Sequence, residues 1–138
     1  MSTTVCSSFQ EIPSGYFFAD CAISGGNLQN YLRDVLSAAD GRLCIRLQPV
    51  YMDFPLPCPS GIGTPLTIDE LKALYTGAPC FFSEALCTEY FTYLKNGQAH
   101  VVLFDSIRSL REKYRTAVAC GIPMILIEDP NLREKLIT

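Results

Sequence analysis

The sequence contains no tryptophan, one histidine (His100) and no C-x-x-C pair among its seven cysteines. Without an indole, any ring-stacking platform must be built from Tyr or Phe. A structural zinc needs paired Cys/His ligands at short spacing. Cys6, Cys21, Cys44, Cys58, Cys80, Cys87 and Cys120 offer no such set around the lone His100. An odd count with no tight pattern also argues against a disulfide framework. The cysteines read as small buried hydrophobes of a reducing cytoplasm. Charge is scarce: 18% of residues are charged, and 11 Lys and Arg against 14 Asp and Glu give a net charge of −3. A broad basic face for nucleic acid is not to be expected from that balance. No apolar run approaches the length of a membrane span. Met1 to Gln10 is Ser/Thr-rich, with neither a basic residue nor a long apolar stretch, and does not read as a secretory signal. No metal, cofactor, nucleic acid or membrane is expected as a partner.

What is present is apolar: 49% of the 138 residues are hydrophobic and the mean hydropathy is +0.19. That composition excludes intrinsic disorder, and the length fits one domain with a real core. Residues 1–14 read as a polar arm, and 15–138 as a single α/β domain. Tyr16 to Ile23 reads as a buried strand, broken by Gly25-Gly26, after which Asn27 can cap a helix. Leu28, Tyr31, Leu32, Val35, Leu36 and Ala39 recur at helical spacing, which predicts a helix over 28–39. Asp40-Gly41 is a turn, and Leu43 to Val50 reads as a second strand, completing a βαβ unit. Residues 53–65 hold four of the nine prolines and two glycines and are expected to be a loop, because Pro disfavours a central strand.

Thr67 to Glu70 is a capping-box pattern opening a short helix that Gly77 ends. Tyr90 to Leu94 and Ala99 to Phe104 flank Asn96-Gly97, whose positive-φ preference predicts a β-hairpin. A helix follows, capped by Asp105 or Ser106, with Ile107, Leu110, Tyr114, Ala117 and Val118 as its apolar stripe and Gly121 as its stop. Ile122 to Ile127 reads as a buried strand, and Asp129-Pro130 as the start of a last helix. The fold class implied is α/β, a mainly parallel sheet with βαβ units and one β-hairpin.

Two stretches carry more than periodicity. Leu47 to Pro57 reads LQPVYMDFPLP, with Asp53, Leu56 and Pro57 in the places of a Tyr-Asp-Trp-Thr-Leu-Pro loop. Tyr90, Phe91, Thr92, Tyr93, Gly97, His100, Val102, Phe104, Arg108, Ser109 and Lys113 follow a second spaced pattern, which closes on Cys120-Gly121-Ile122 through Glu128. Together they resemble the C-terminal part of a family-18 glycoside hydrolase, most nearly the spore-cortex peptidoglycan hydrolases of that family. The resemblance covers about residues 15–130, and is strongest over 86–122. It implies a partial (β/α)8 barrel, corresponding to strands five to eight. The family's chemistry rests on a D-x-x-D-x-D-x-E motif whose Glu is the general acid, and no such spacing occurs in this chain. Glu128 stands where the family's sugar-floor Trp is expected, Phe54 where its loop Trp is, and Met52 where a Tyr is.

In barrels the functional end is the C-terminal end of the strands. That edge carries the candidate ligand-binding residues Gln48, Tyr51, Asp53, Asp105 and Glu128. Asp105 and Asp129 also sit where helix caps belong, and Asp53 can simply order its loop. Burial at a strand end would raise the pKa of Glu128 unless a base such as Arg46 pairs with it. His100, among apolar neighbours, reads as a structural histidine, since a general base needs a partner within reach. Ser83-Glu84 can line a cleft or start a turn. No catalytic residue is assigned. The expected role is a non-catalytic, truncated glycoside-hydrolase-like module that binds an amino-sugar or peptidoglycan fragment or a protein. Four strands leave two open edges, so it is expected to be a homodimer. The alternative is a glycosidase with a rearranged carboxylate pair at the strand ends.

Overall fold

The structure is a computed structural model and describes residues 2–137. Its elements run β1 (Thr4–Cys6), a 3-10 turn (Phe9–Glu11), β2 (Phe17–Asp20), α1 (Leu28–Ala38), β3 (Leu43–Arg46), β4 (Tyr51–Pro55), β5 (Thr64–Pro65) and α2 (Ile68–Leu74). They continue with β6 (Phe81–Ser83), β7 (Thr88–Lys95), β8 (Gln98–Phe104), α3 (Ile107–Ala119), β9 (Met124–Leu126) and α4 (Pro130–Ile137). The strands form two sheets. One is parallel and four-stranded, in the order β1-β9-β3-β2; the other is antiparallel and five-stranded, in the order β5-β4-β8-β7-β6.

The parallel sheet forms because β2, α1 and β3 make the expected crossover. Asn27 caps α1 by accepting from the Asn30 amide at 3.2 Å. One face of the sheet packs on the helices: Leu43, Ile45, Leu47, Ile125 and Ile127 meet Leu28, Leu32, Leu110, Ala117 and Leu136 in one core. The alternation of strand side chains sends Cys6, Cys44, Met124 and Leu126 to the opposite face, where Ile12 and Tyr16 pack on them. In a closed barrel that second face would look into the lumen. Here the segment between β1 and β2 lies across it.

Several segments differ from the sequence expectation. The buried strand expected over Tyr16 to Ile23 is the edge strand β2, with Phe17 and Phe18 about half exposed because no strand covers its outer side. Phe81–Ser83, not expected as a strand, pairs with β7. Thr4–Cys6, inside the expected polar arm, is a strand paired in parallel with β9, and its Cys6 is buried. Counted across the sheet, β2, β3 and β9 follow chain order, but the fourth position, beyond β9, is taken by this N-terminal strand rather than by one later in the chain. Residues 53–65, expected as a loop, hold most of β4 and all of β5. The Leu56 amide donates to the Ala99 carbonyl at 2.9 Å, so by alternation the Pro55 nitrogen points away from β8. It points to the side where β5, paired only with Met52 and Asp53, has already ended. Pro65 lies on the edge strand, where its missing N–H costs no ladder bond.

The hairpin is as expected, with Asn96 and Gly97 both at positive φ (51° and 78°), the type I′ geometry that matches strand twist. It is the centre of the antiparallel sheet rather than an isolated ribbon. The capping box of α2 is present, with the Thr67 hydroxyl accepting from the Glu70 amide at 3.1 Å and Glu70 accepting from the Thr67 amide at 2.9 Å. Ser106, not Asp105, is the cap of α3, accepting from the Ser109 amide at 3.1 Å.

Asp105 does something else. It is buried between the two sheets, with the Lys113 ammonium 2.9 Å from each of its oxygens. The Ser109 hydroxyl donates to it at 2.7 Å, and the Val50 amide at 3.0 Å. Both charged side chains are 1% exposed. Removing one partner of a buried pair strands the other charge, at a cost of about 3–5 kcal/mol. Lys113→Met is therefore expected to lower the urea-unfolding free energy by about that amount. A loss below about 1 kcal/mol, the value of an exposed pair, would show that the network carries little of the fold.

Candidate functional site

The C-terminal ends of β3 and β9 lie side by side, with Arg46 in register with Leu126. Just beyond them stand Gln48, which is exposed, and Glu128, whose carboxylate takes the Arg46 guanidinium at 2.6 Å. Glu128 is 42% exposed at its side chain, so it is a rim residue and not the buried acid that its strand-end position suggested. On the lumen-side face the Arg46 guanidinium lies over the Phe9 ring, 5.7 Å from its centroid. Phe9 in turn packs on Phe18, with 5.3 Å between ring centroids. Both phenylalanines are about half exposed. Phe9 is held there by the 3-10 turn, which Glu11 closes by accepting from the Ser7 hydroxyl and the Ser7 and Ser8 amides at 2.6–2.8 Å. Those hydrogen bonds, that of the Ser7 hydroxyl first, hold the Glu11 carboxyl below its usual range.

The remaining candidates stand on the second sheet and its junction. Tyr51 opens β4 and shares a hollow of about 290 Å³ with Asp105, Asp129, Asn131 and Lys135 on its polar side and Ile107, Leu110 and Leu132 on its apolar side. Burial, and then the charge of Asp105, raise the Tyr51 hydroxyl above the ordinary tyrosine value. Asp129 caps α4 through the Asn131 amide at 2.9 Å. Asp53 lies on the same face of β4 as Tyr51, but both its oxygens are taken. The Tyr93 hydroxyl donates to one at 2.7 Å and His100 Nδ1 stands 3.2 Å from the other. The Tyr93 and His100 rings stack with centroids 4.8 Å apart, as opposite residues of the hairpin. His100 thus completes a polar cluster rather than facing a nucleophile. Ser83 starts a turn, accepting from the Leu86 amide at 3.2 Å.

The five candidates therefore do not converge on one point. Gln48 and Glu128 share the rim of the parallel sheet, Tyr51 and Asp105 share the neighbouring hollow, and Asp53 belongs to the hairpin cluster. The cysteines are free among the described residues, and burial pushes the thiols of Cys21 and Cys44 up to about 12 and about 11. No group of three His, Cys, Asp or Glu there could hold a metal ion, and no helix there is long and apolar enough to cross a membrane. Phe9 and Phe18 were not among the expected site residues. An aromatic at position 9 inside an otherwise polar stretch was the signal available for the first of them. Gly63 is a second such position: a Cβ there would lie 2.6 Å from the Phe54 ring, so only glycine lets that ring close the apolar hollow of about 240 Å³ under Met52 and Leu103.

No protein-family model matches the chain, and no curated protein matches it. Solved structures do. The spore cortex-lytic enzyme of Bacillus cereus aligns with a TM-score of 0.61 and 18% identity over 90% of this chain and 36% of that one. A chitinase from Chromobacterium violaceum aligns with a TM-score of 0.58 and 21% identity over 88% of this chain and 44% of that one. The spore cortex-lytic enzyme of Bacillus megaterium gives 0.55 and 19% over 81% and 29%. The chain thus spans less than half the length of each. Its fold is a mixed α/β unit that resembles part of the fold of these enzymes. At these identities the likeness concerns fold, and function must be argued from the site.

The hairpin cluster makes a measurable prediction. Burial first, and then the hydrogen bond to Asp53 and its charge, push the Tyr93 hydroxyl up to about 12. A raised folded-state pKa contributes stability that is complete below the unfolded value of about 10 and is lost as pH rises towards the folded one. Tyr93→Phe should remove the last tyrosinate component in an ultraviolet titration between about pH 10 and pH 12. Asp53→Asn should shift that component down. An unchanged late component in Tyr93→Phe would show that another tyrosine carries it.

Proposed function

We propose that this chain is a non-catalytic, glycoside-hydrolase-like module that binds an amino-sugar polymer, of the kind found in chitin or peptidoglycan, and works as a homodimer. The observation that carries this reading is the commitment of the carboxylates. Asp53 and Asp105 each have both oxygens held by donors of the scaffold, and Glu128 is in an ion pair. Glycoside hydrolysis needs one carboxylic acid and one carboxylate facing a common bond, and Asp53, Asp105 and Glu128 do not offer such a free pair. Recognition asks for less: an apolar ring face with a few fixed polar groups beside it. The rim supplies Phe9 as a half-exposed ring, with Arg46, Gln48 and Glu128 as hydrogen-bonding groups beside it. The named activities of the matched structures, spore-cortex lysis and chitin cleavage, suggest the class of polymer.

Titration of isotope-labelled protein with short N-acetylglucosamine oligomers and muropeptides tests this. Saturable amide shifts are expected at Phe9, Gln48 and Glu128, and Phe9→Ala should weaken binding about 2- to 10-fold, the value of one ring contact. No shift up to millimolar ligand would overturn the binding role. Release of reducing ends from chitin or peptidoglycan, lost in Glu128→Gln, would overturn the non-catalytic part.

A further inference from the structure

β2 is an outer strand of the parallel sheet, and its four residues are the least covered of that sheet. Phe17 and Phe18 are 55% and 49% exposed. The Phe17 amide donates to the Arg42 carbonyl at 2.9 Å and the Cys21 amide to the Arg46 carbonyl at 3.2 Å. By alternation, Tyr16, Phe18 and Asp20 turn their N–H and C=O groups to the open side. An edge of this kind is a template for another strand unless something blunts it. The one charge on it is Asp20, which makes no ion pair among the described residues. Arg42, also without an ion pair there, lays its guanidinium against Gly15, so that a Cβ on Gly15 would be 3.7 Å from its Nη1. A negative group therefore marks one end of the edge and a positive group the other.

We infer that the occupant of this edge is β2 of a second copy, paired antiparallel about a two-fold axis through Phe18. This rests on the homodimer of the proposed function and says where it forms. With Phe18 opposite its own copy, the outward-facing groups of the two Phe18 residues bond reciprocally and the rings meet on one face. Asp20 of each copy then stands opposite Tyr16 of the other, beside Gly15 and the Arg42 guanidinium. The charge that would blunt the edge towards a neutral or acidic strand instead sets the register for its own copy. The same pairing turns two four-stranded sheets into one continuous sheet of eight strands. An isologous contact of this kind closes on itself and leaves no growing end at β2.

Sedimentation from micromolar to submillimolar concentration tests the interface by charge exchange. Asp20→Arg and Arg42→Asp should each weaken the dimer by about 10-fold or more, since each replaces two attractive pairs by repulsive ones. The double exchange, Asp20→Arg with Arg42→Asp, should restore most of the loss. Both positions are exposed, so the variants should fold, and amide hydrogen exchange of the unaltered chain gives an independent check. Protection of the Phe18 and Asp20 amides should rise with protein concentration. A dimer indifferent to all three variants, with those amides unprotected, would overturn this interface while leaving a homodimer standing. A monomer throughout would overturn both, while sugar binding is read separately by the titration above.

Discussion

Asp105 and Lys113 hold the molecule's two sheets to one helix. Asp105 ends the antiparallel hairpin, Lys113 lies two turns into α3, and the Val50 amide that also bonds to Asp105 belongs to the connection leaving the parallel sheet. A lysine ammonium and a carboxylate, both 1% exposed, are tolerated only because each charge meets the other and the remaining acceptor sites are filled by Ser109 and Val50. The arrangement selects geometry more than it adds stability. A hydrophobic pair of similar volume could pack there, but it would not dictate where the hairpin ends, which turn of α3 faces it, and how β3 hands over to β4. The positions of Tyr51 and of the hollow beside it follow from that one contact.

The parts of the fold legible in the sequence are those specified by neighbours in the chain. Asn96-Gly97 wrote the hairpin, Asn27 and Thr67 wrote helix starts, and the apolar spacing of α1 wrote its buried stripe; that of α3 was legible only in part, since Ser109 and Lys113 are buried beside Leu110 and Ala117 while Val118 is exposed. What was not legible depends on partners far away. Thr4–Cys6 is three residues long, too short for alternation to show, and is a strand only because β9 receives it. β4 tolerates Pro55 only because β5 stops early, which no local rule foresees. The site behaves the same way. The meeting of Glu128 with Arg46 could be anticipated from two strand ends, but the capture of Asp53 by Tyr93 spans 40 positions and that of Asp105 by the Val50 amide spans 55.

The residues behind the family resemblance turn out to share a physical role. Ser109 and Lys113 fill the buried network, Tyr93 and His100 clamp Asp53, Phe91 and Val102 form the core beneath α2, and Arg108 lies over Phe82, 4.2 Å from its ring centroid. Each of them is engaged in holding the shape of the unit. The lumen-side face, meanwhile, is occupied by Ile12 and Tyr16 of the chain itself. That leaves the rim, where Phe9, Arg46 and Glu128 meet, as the part of this strand-end edge still open to solvent.

The placement of β1 has a kinetic side. Its one strand neighbour is β9, and beside that pairing the Thr3 hydroxyl donates to the Ile122 carbonyl across 119 positions of chain. Closing so long a loop is entropically slow compared with forming the hairpin. The antiparallel sheet can therefore assemble while β1, and with it the covering segment that carries Phe9, Ile12 and Tyr16, is still undocked. Cys44 lies buried on the sheet face that this segment covers, so its thiol meets solvent only when the covering segment lifts, and its reactivity is a gauge of that docking.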